Sequence, residues 1–163
     1  MSPMTARLKG LAFNWLHLLM LLLALAGLGV SAYLMWGYTV PGATLACGDS
    51  GGCETVKNRA YTNLGGLPLP VLGLASYLAL LALLLLQGYP LPNRPTWPAY
   101  IALAIFGISL AGVLYSTYLT YIELFVIAAI CRWCVASAII MVAIFLLSIF
   151  NLRNSNQFYM TER

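Results

Sequence analysis

Residues 131–150 read CRWCVASAIIMVAIFLLSIF. After Arg132 this stretch carries no charge, and about 20 residues of helix span about 30 Å, one hydrocarbon thickness of a bilayer. Three more stretches have the same character, at roughly 11–36, 69–88 and 98–125. The whole chain of 163 residues is 62% apolar and only 7% charged, against about 25% charged in a soluble domain. So few charges cannot build a solvated surface, so lipid is the expected solvent. Backbone groups in lipid must bond internally, which makes the four stretches helices. The predicted fold is an all-α integral membrane protein, a four-transmembrane-helix bundle forming a single domain over 1–163. A signal peptide followed by a soluble helical domain is the weaker alternative. The first stretch exceeds a signal core, and no small-residue cleavage site stands out.

Trp15 at one end of the first span and Trp36 with Tyr38 at the other suit the two membrane interfaces. The outer loop that follows, VPGATLACGDSGGCETVKNRAYTNLGGLPLP (40–70), is rich in Gly, Pro and polar residues and holds Cys47 and Cys53. Its middle, CETVKNRAY (53–61), is compatible with a short surface helix. The prolines of GYPLPNRPTWP (88–98) separate the second and third spans. The third span is longer than the bilayer requires, which predicts tilt. A short turn, FVIAAIC (125–131), leads to the fourth span, and a polar tail follows Phe150.

Four spans place both chain ends on one face and the cysteine-bearing segments together on the other. Arg7, Lys9, Arg94, Arg153 and Arg163 mark the face of the termini, whereas Lys57, Arg59 and Arg132 mark the cysteine face. The excess of basic residues predicts cytoplasmic termini. The cysteines then face the outside of a plasma membrane, where disulfides form and persist. The net charge of +4 comes with no basic stripe or finger spacing, so nucleic acid is not an expected partner.

Cys131 and Cys134 form a Cys-x-x-Cys pair at a helix start. There the free N–H groups and the helix dipole favour an anion, which lowers a thiol's pKa, and Arg132 adds positive charge. A thiolate in that position is a populated nucleophile and a good leaving group. Cys47 and Cys53 lie among Gly48, Gly51 and Gly52, which let a loop bring two sulfurs together. A loop pair in water beside a pair at the membrane mouth suits an electron relay. Competing readings are two structural disulfides, plain packing of thiols, or a zinc site. The wide Cys-x5-Cys spacing and the lack of a nearby His speak against zinc, and no metal is expected.

Other residues carry weaker signals. Glu123 at the outer end of the third span is a candidate functional acid, with a solvated interfacial carboxylate as the alternative. His17 is expected at an interface. Asp49 and Glu54 either tune the loop thiols or are simply solvated. The small residues of GLGVSAY (27–33) and GISLAGVLYS (107–116) suggest helix packing rather than a ligand pocket.

Cys47-x5-Cys53, then GGLPLPVLGLASY (65–77) leading into the second span, then YLTYIELFVIAAICRWCVAS (118–137) together resemble the vitamin K epoxide reductase family, in particular its bacterial members, over about residues 15–150. The DsbB-type oxidases also have four spans and two cysteine pairs, but carry the Cys-x-x-Cys in the first outer loop, whereas here it comes last. The resemblance implies an inner-membrane oxidoreductase that forms disulfides. It would pass electrons from a separate thioredoxin-fold (DsbA-like) partner to a quinone of ubiquinone or menaquinone type. It implies roles as well. Cys134 would face the quinone, Cys131 would accept electrons through a disulfide with Cys53, and Cys47 would exchange with the partner. Where some members carry a Tyr four residues after the last cysteine, this chain has Ala138. Where many have a small hydroxyl residue after the second loop cysteine, it has Asn58 and Arg59. Some relatives carry a fused thioredoxin-like domain, and none is expected within the short segment after the fourth span. The alternatives are reduction of a vitamin K quinone or epoxide, or a non-enzymatic scaffold or small transporter held by structural disulfides.

Overall fold

The computed structural model describes residues 3–40, 63–64, 67–88 and 97–161. Cys47, Cys53 and the surface helix expected over 53–61 lie outside them. Helix α1 spans Pro3–Thr39, α2 Leu69–Gly88, α3 Trp97–Ile122 and α4 Arg132–Thr161. A π-turn over Glu123–Ile127 extends α3. Two short strands, β1 (Asn63–Leu64) and β2 (Leu67–Pro68), pair antiparallel just before α2, with Leu64 opposite Leu67.

All four helices are long and apolar enough to cross a membrane, over Trp15–Thr39, Pro70–Gly88, Ala99–Ile127 and Arg132–Arg153. Proline sets several of their boundaries. Val40 precedes Pro41 and is therefore steered out of helical geometry, so α1 stops at Thr39, whose hydroxyl bonds back to the Met35 carbonyl at 2.9 Å. Pro70 and Pro98 occupy first turns, where a missing N–H costs nothing. No proline or glycine interrupts 132–161, and α4 runs on to Thr161. The segment after Phe150, expected as a polar tail, is helical for that reason.

The helices form a ring in which α1 packs on α2 and α4, and α3 packs on α2 and α4. The buried positions trace seams. On α1 they are Met20, Ala24, Gly27, Ser31, Leu34 and Gly37, and on α4 Met141, Ile144, Ser148 and Asn151. Spacings of three and four are those of side chains interlocking between nearly antiparallel helices. Large side chains such as Leu22, Leu85, Leu114 and Leu146 point outward, as expected of a lipid-facing surface.

Apolar burial does little to join helices in lipid, so close packing and polar contacts carry the association. Tyr77 of α2 is fully buried. Its hydroxyl reaches across the bundle to α4, 2.9 Å from the Ser137 carbonyl and 3.1 Å from Ser137 Oγ. Toward the other end, Gln87 and Asn151 exchange amide hydrogen bonds of 3.4 and 3.1 Å. Ser109 and Ser148 meet at 3.3 Å between α3 and α4. Such contacts contribute on average about 0.6 kcal/mol each in a membrane.

The Tyr77 ring lies where a Cβ on Gly27 would stand, whereas Gly29 faces open space. Gly27→Ala must therefore displace Tyr77. It is expected to destabilise the detergent-solubilised protein by about 1–3 kcal/mol, the usual cost of overpacking. Gly29→Ala should be neutral or slightly stabilising, since alanine is the better helix former. Thermal unfolding of the two variants side by side checks the difference.

Candidate active site

Helix α4 begins at Arg132, and Cys131 is its N-cap. The Cys131 carbonyl accepts the first helical hydrogen bond, from Val135 N–H at 3.0 Å. At such a position a side-chain acceptor ordinarily takes the N–H three residues on. Here the acceptor is sulfur: Cys134 N–H donates to Cys131 Sγ at 3.3 Å. The Cys134 thiol points to the same atom, with the two sulfurs 2.7 Å apart. Both cysteines are free thiols. Cys131 is buried and Cys134 partly so.

The N–H of Cys131 itself is satisfied by Glu123, whose Oε2 accepts it at 3.2 Å. In an ordinary capping box the reciprocal acceptor comes from inside the helix, but here it comes from the end of the preceding one. The chain reverses between them because Ala128 adopts left-handed backbone angles, φ 53° and ψ 33°. That conformation costs a residue with a Cβ roughly 1–2 kcal/mol. The Glu123 carbonyl secures the turn, accepting N–H bonds from Ala128 and, at 3.1 Å, from Ala129. Glu123 is thus buried and anchors both ends of the reversal. The solvated interfacial carboxylate considered from sequence is not what forms.

The Cys134 thiol, donating to Cys131 Sγ, holds the Cys131 thiol below its ordinary value, helped by the backbone N–H groups of Cys134 and Trp133 and opposed by burial and by Glu123. The helix-start N–H groups act in the expected direction, but the larger influence is the neighbouring Cys134 thiol. Arg132 is exposed, and the donors that favour the thiolate are the thiol and the amides. On the α1 side Cys131 packs with Leu34, with Val30, Tyr33, Ile127 and Trp133 around them. The Tyr33 and Trp133 rings meet at 4.8 Å.

Both cysteines line a cavity of about 600 Å³ in the half of the bundle where α4 begins. All four helices contribute to its wall, among them Leu34, Leu72, Tyr115, Ala138 and Met141. The two segments expected to serve packing do more than that. Gly27 and Gly112 are close-packing positions, but Ser31, Ile108, Ala111, Tyr115 and Ser116 face the cavity. The hydroxyl of Tyr115 is buried and has no hydrogen-bond partner among the described residues. His17 sits at the other end of the bundle, beside Gly88. Among the described residues no three His, Cys, Asp or Glu side chains are grouped to hold a metal ion.

A family model, that of the vitamin K epoxide reductase family, matches residues 18–149. The chain belongs to the vitamin K epoxide reductase family. It is accordingly a multi-pass membrane oxidoreductase. The matched region covers the second and third spans in full, most of the first and fourth, and both cysteine pairs.

Replacing Cys134 removes the strongest influence that lowers the Cys131 pKa. In the unmodified protein, alkylation of Cys131 followed against pH by mass spectrometry should have its midpoint below that of a free thiol, about 8.5. In Cys134→Ala the midpoint should move to higher pH, and in Cys134→Ser, which keeps an O–H donor, it should move less. An unchanged midpoint in Cys134→Ala would contradict the assignment of donor and acceptor.

Proposed function

We propose that this chain forms disulfides by transferring electrons from a thioredoxin-fold partner, through Cys47 and Cys53 and then Cys131 and Cys134, to a quinone. The observation that carries this reading is the Cys131–Cys134 pair, poised sulfur to sulfur on the wall of a cavity inside the bundle. Two thiols that only staple a loop need no such cavity. A volume of about 600 Å³ falls within the usual range for small-molecule sites, about 300–1,000 Å³. The mostly apolar wall, with an uncommitted phenol at Tyr115, suits a neutral ring with carbonyl acceptors. A quinone of ubiquinone or menaquinone type bound there supplies a sink for two electrons and two protons.

The rest of the path uses the chain's own sulfurs. The loop holding Cys47 leaves from the end of α1 that packs on Cys131 through Leu34. From Val40 to Cys47 the extended chain reaches at most about 25 Å, ample to bring the loop pair to the mouth of α4. In the proposed exchange a Cys53 thiolate attacks Cys131 Sγ. The Cys131–Cys134 bond breaks and Cys134 keeps the electron pair. Cys47 then attacks Cys53, which closes the loop disulfide and releases Cys131. Cys131 is the sulfur that the helix start and the Cys134 donor stabilise as a thiolate, so it is the better leaving group in that second step. Reduced partner returns the loop pair to thiols by attack on Cys47.

The excess of basic residues at the termini supports an orientation in a bacterial inner membrane with both ends cytoplasmic and all four cysteines facing out.

Cys134→Ala is expected to abolish turnover with a quinone and a reduced thioredoxin-fold partner, and normal turnover would refute the reading. In Cys53→Ala, expressed in its host, Cys47 should accumulate as a mixed disulfide. Mass spectrometry should identify a thioredoxin-fold protein attached to it, and a freely alkylated Cys47 would count against the relay.

A further inference from the structure

Most hydroxyls on the cavity wall are committed within the protein. Ser76 Oγ donates to the Leu72 carbonyl at 2.8 Å, and Thr120 Oγ1 to the Ser116 carbonyl at 2.9 Å. Tyr77 is tied to Ser137. Tyr115 differs, because its hydroxyl is buried yet unpartnered among the described residues. A buried phenol without a partner is destabilising, and phenylalanine would fill the same space without that cost. Trp97 Nε1 is similarly unpartnered, but Trp97 does not reach the cavity wall.

The register between α3 and α4 places Tyr115 in the cavity. Phe106 meets Phe145 with tilted rings, their centroids 5.5 Å apart. A Cβ on Gly112 would stand 2.8 Å from Met141 Sδ, so the two helices meet closely there. Continuing that antiparallel register one turn outward brings Tyr115 level with Ala138, and both line the cavity. The methyl group of Ala138 leaves the space opposite the phenol open. Cys134 follows one turn further out on α4, about 6 Å along the helix. In helix register Tyr115 and Cys134 are therefore about one turn apart, a depth on the scale of a quinone ring.

We infer that the Tyr115 hydroxyl donates a hydrogen bond to the quinone carbonyl oxygen that lies away from Cys134, and so fixes the depth and orientation of the ring. This rests on the quinone reading above. Tyr115 is a binding residue in this role, and no electron passes through it.

The test uses the full-length protein in detergent, with 2-methyl-1,4-naphthoquinone and a short-chain ubiquinone as probes and quenching of the chain's tryptophan fluorescence as the binding readout. Tyr115→Phe should bind both probes about 3–10-fold more weakly, the loss of one ordinary hydrogen bond. Its melting temperature without quinone should be equal or higher, because the unpartnered hydroxyl is gone. Unchanged affinity would overturn the inference, whatever the melting temperature does. A second readout does not depend on the variant folding. In the unmodified protein, the infrared carbonyl stretch of bound quinone should lie below its value in apolar solvent for one of its two carbonyls, and in Tyr115→Phe that carbonyl should return to the solvent value. No downshift in the unmodified protein would overturn the inference on its own. If the unmodified protein binds neither probe, it is the quinone reading that fails.

Discussion

A helix that starts beside an apolar cavity must find acceptors for its first N–H groups where water is scarce. At the start of α4 those acceptors are a sulfur and a carboxylate, Cys131 Sγ for Cys134 N–H and Glu123 Oε2 for Cys131 N–H. The Cys131 sulfur caps the helix, and the same N–H that it accepts favours its thiolate form. A negative sulfur caps the helix better than a neutral one, and the cap in turn stabilises the negative sulfur. The left-handed Ala128 and the π-turn before it exist to bring Glu123 back to that point. Had α3 simply continued, eight residues would have carried the chain about 12 Å along its axis.

The remainder of the bundle keeps this helix start against a cavity of defined shape. Tyr77, seated on Gly27, ties α2 to Ser137 one turn beyond Cys134. Met141 against Gly112 closes the cavity below it. Among the described residues, the polar contacts that join two helices, Tyr77–Ser137, Gln87–Asn151 and Ser109–Ser148, give register to largely apolar surfaces. The proposed relay needs a place where a membrane-soluble acceptor can meet the thiols, and the cavity that both cysteines line would be that place.

Much of this was legible in the sequence. The spans follow from length and apolarity, and their ends from prolines such as Pro41, Pro70 and Pro98. The position of Cys131 and Cys134 at a helix start follows from the spacing of CRWC ahead of an apolar run, and the family resemblance is confirmed over 18–149. Other features depend on packing that no local pattern encodes. Burial of Glu123 requires a π-turn and an alanine with positive φ, neither of which has a composition signature, since glycine is the usual marker of such a bend. Tyr115 sits among small residues that announce helix contact. Its role as a cavity residue emerges only from the register of α3 on α4. The continuation of α4 past Phe150 reflects the absence of a stop signal, which polarity alone had obscured.

The central claim is that the Cys131–Cys134 dithiol is itself the electron donor to a quinone. A variant with Cys47→Ala and Cys53→Ala isolates that pair. Reduced fully and mixed without oxygen with one equivalent of short-chain quinone, it should yield one quinol per molecule. Mass spectrometry after alkylation should show Cys131 and Cys134 protected together as one disulfide. Quinone left unreduced, with both cysteines still open to alkylation, would contradict the account.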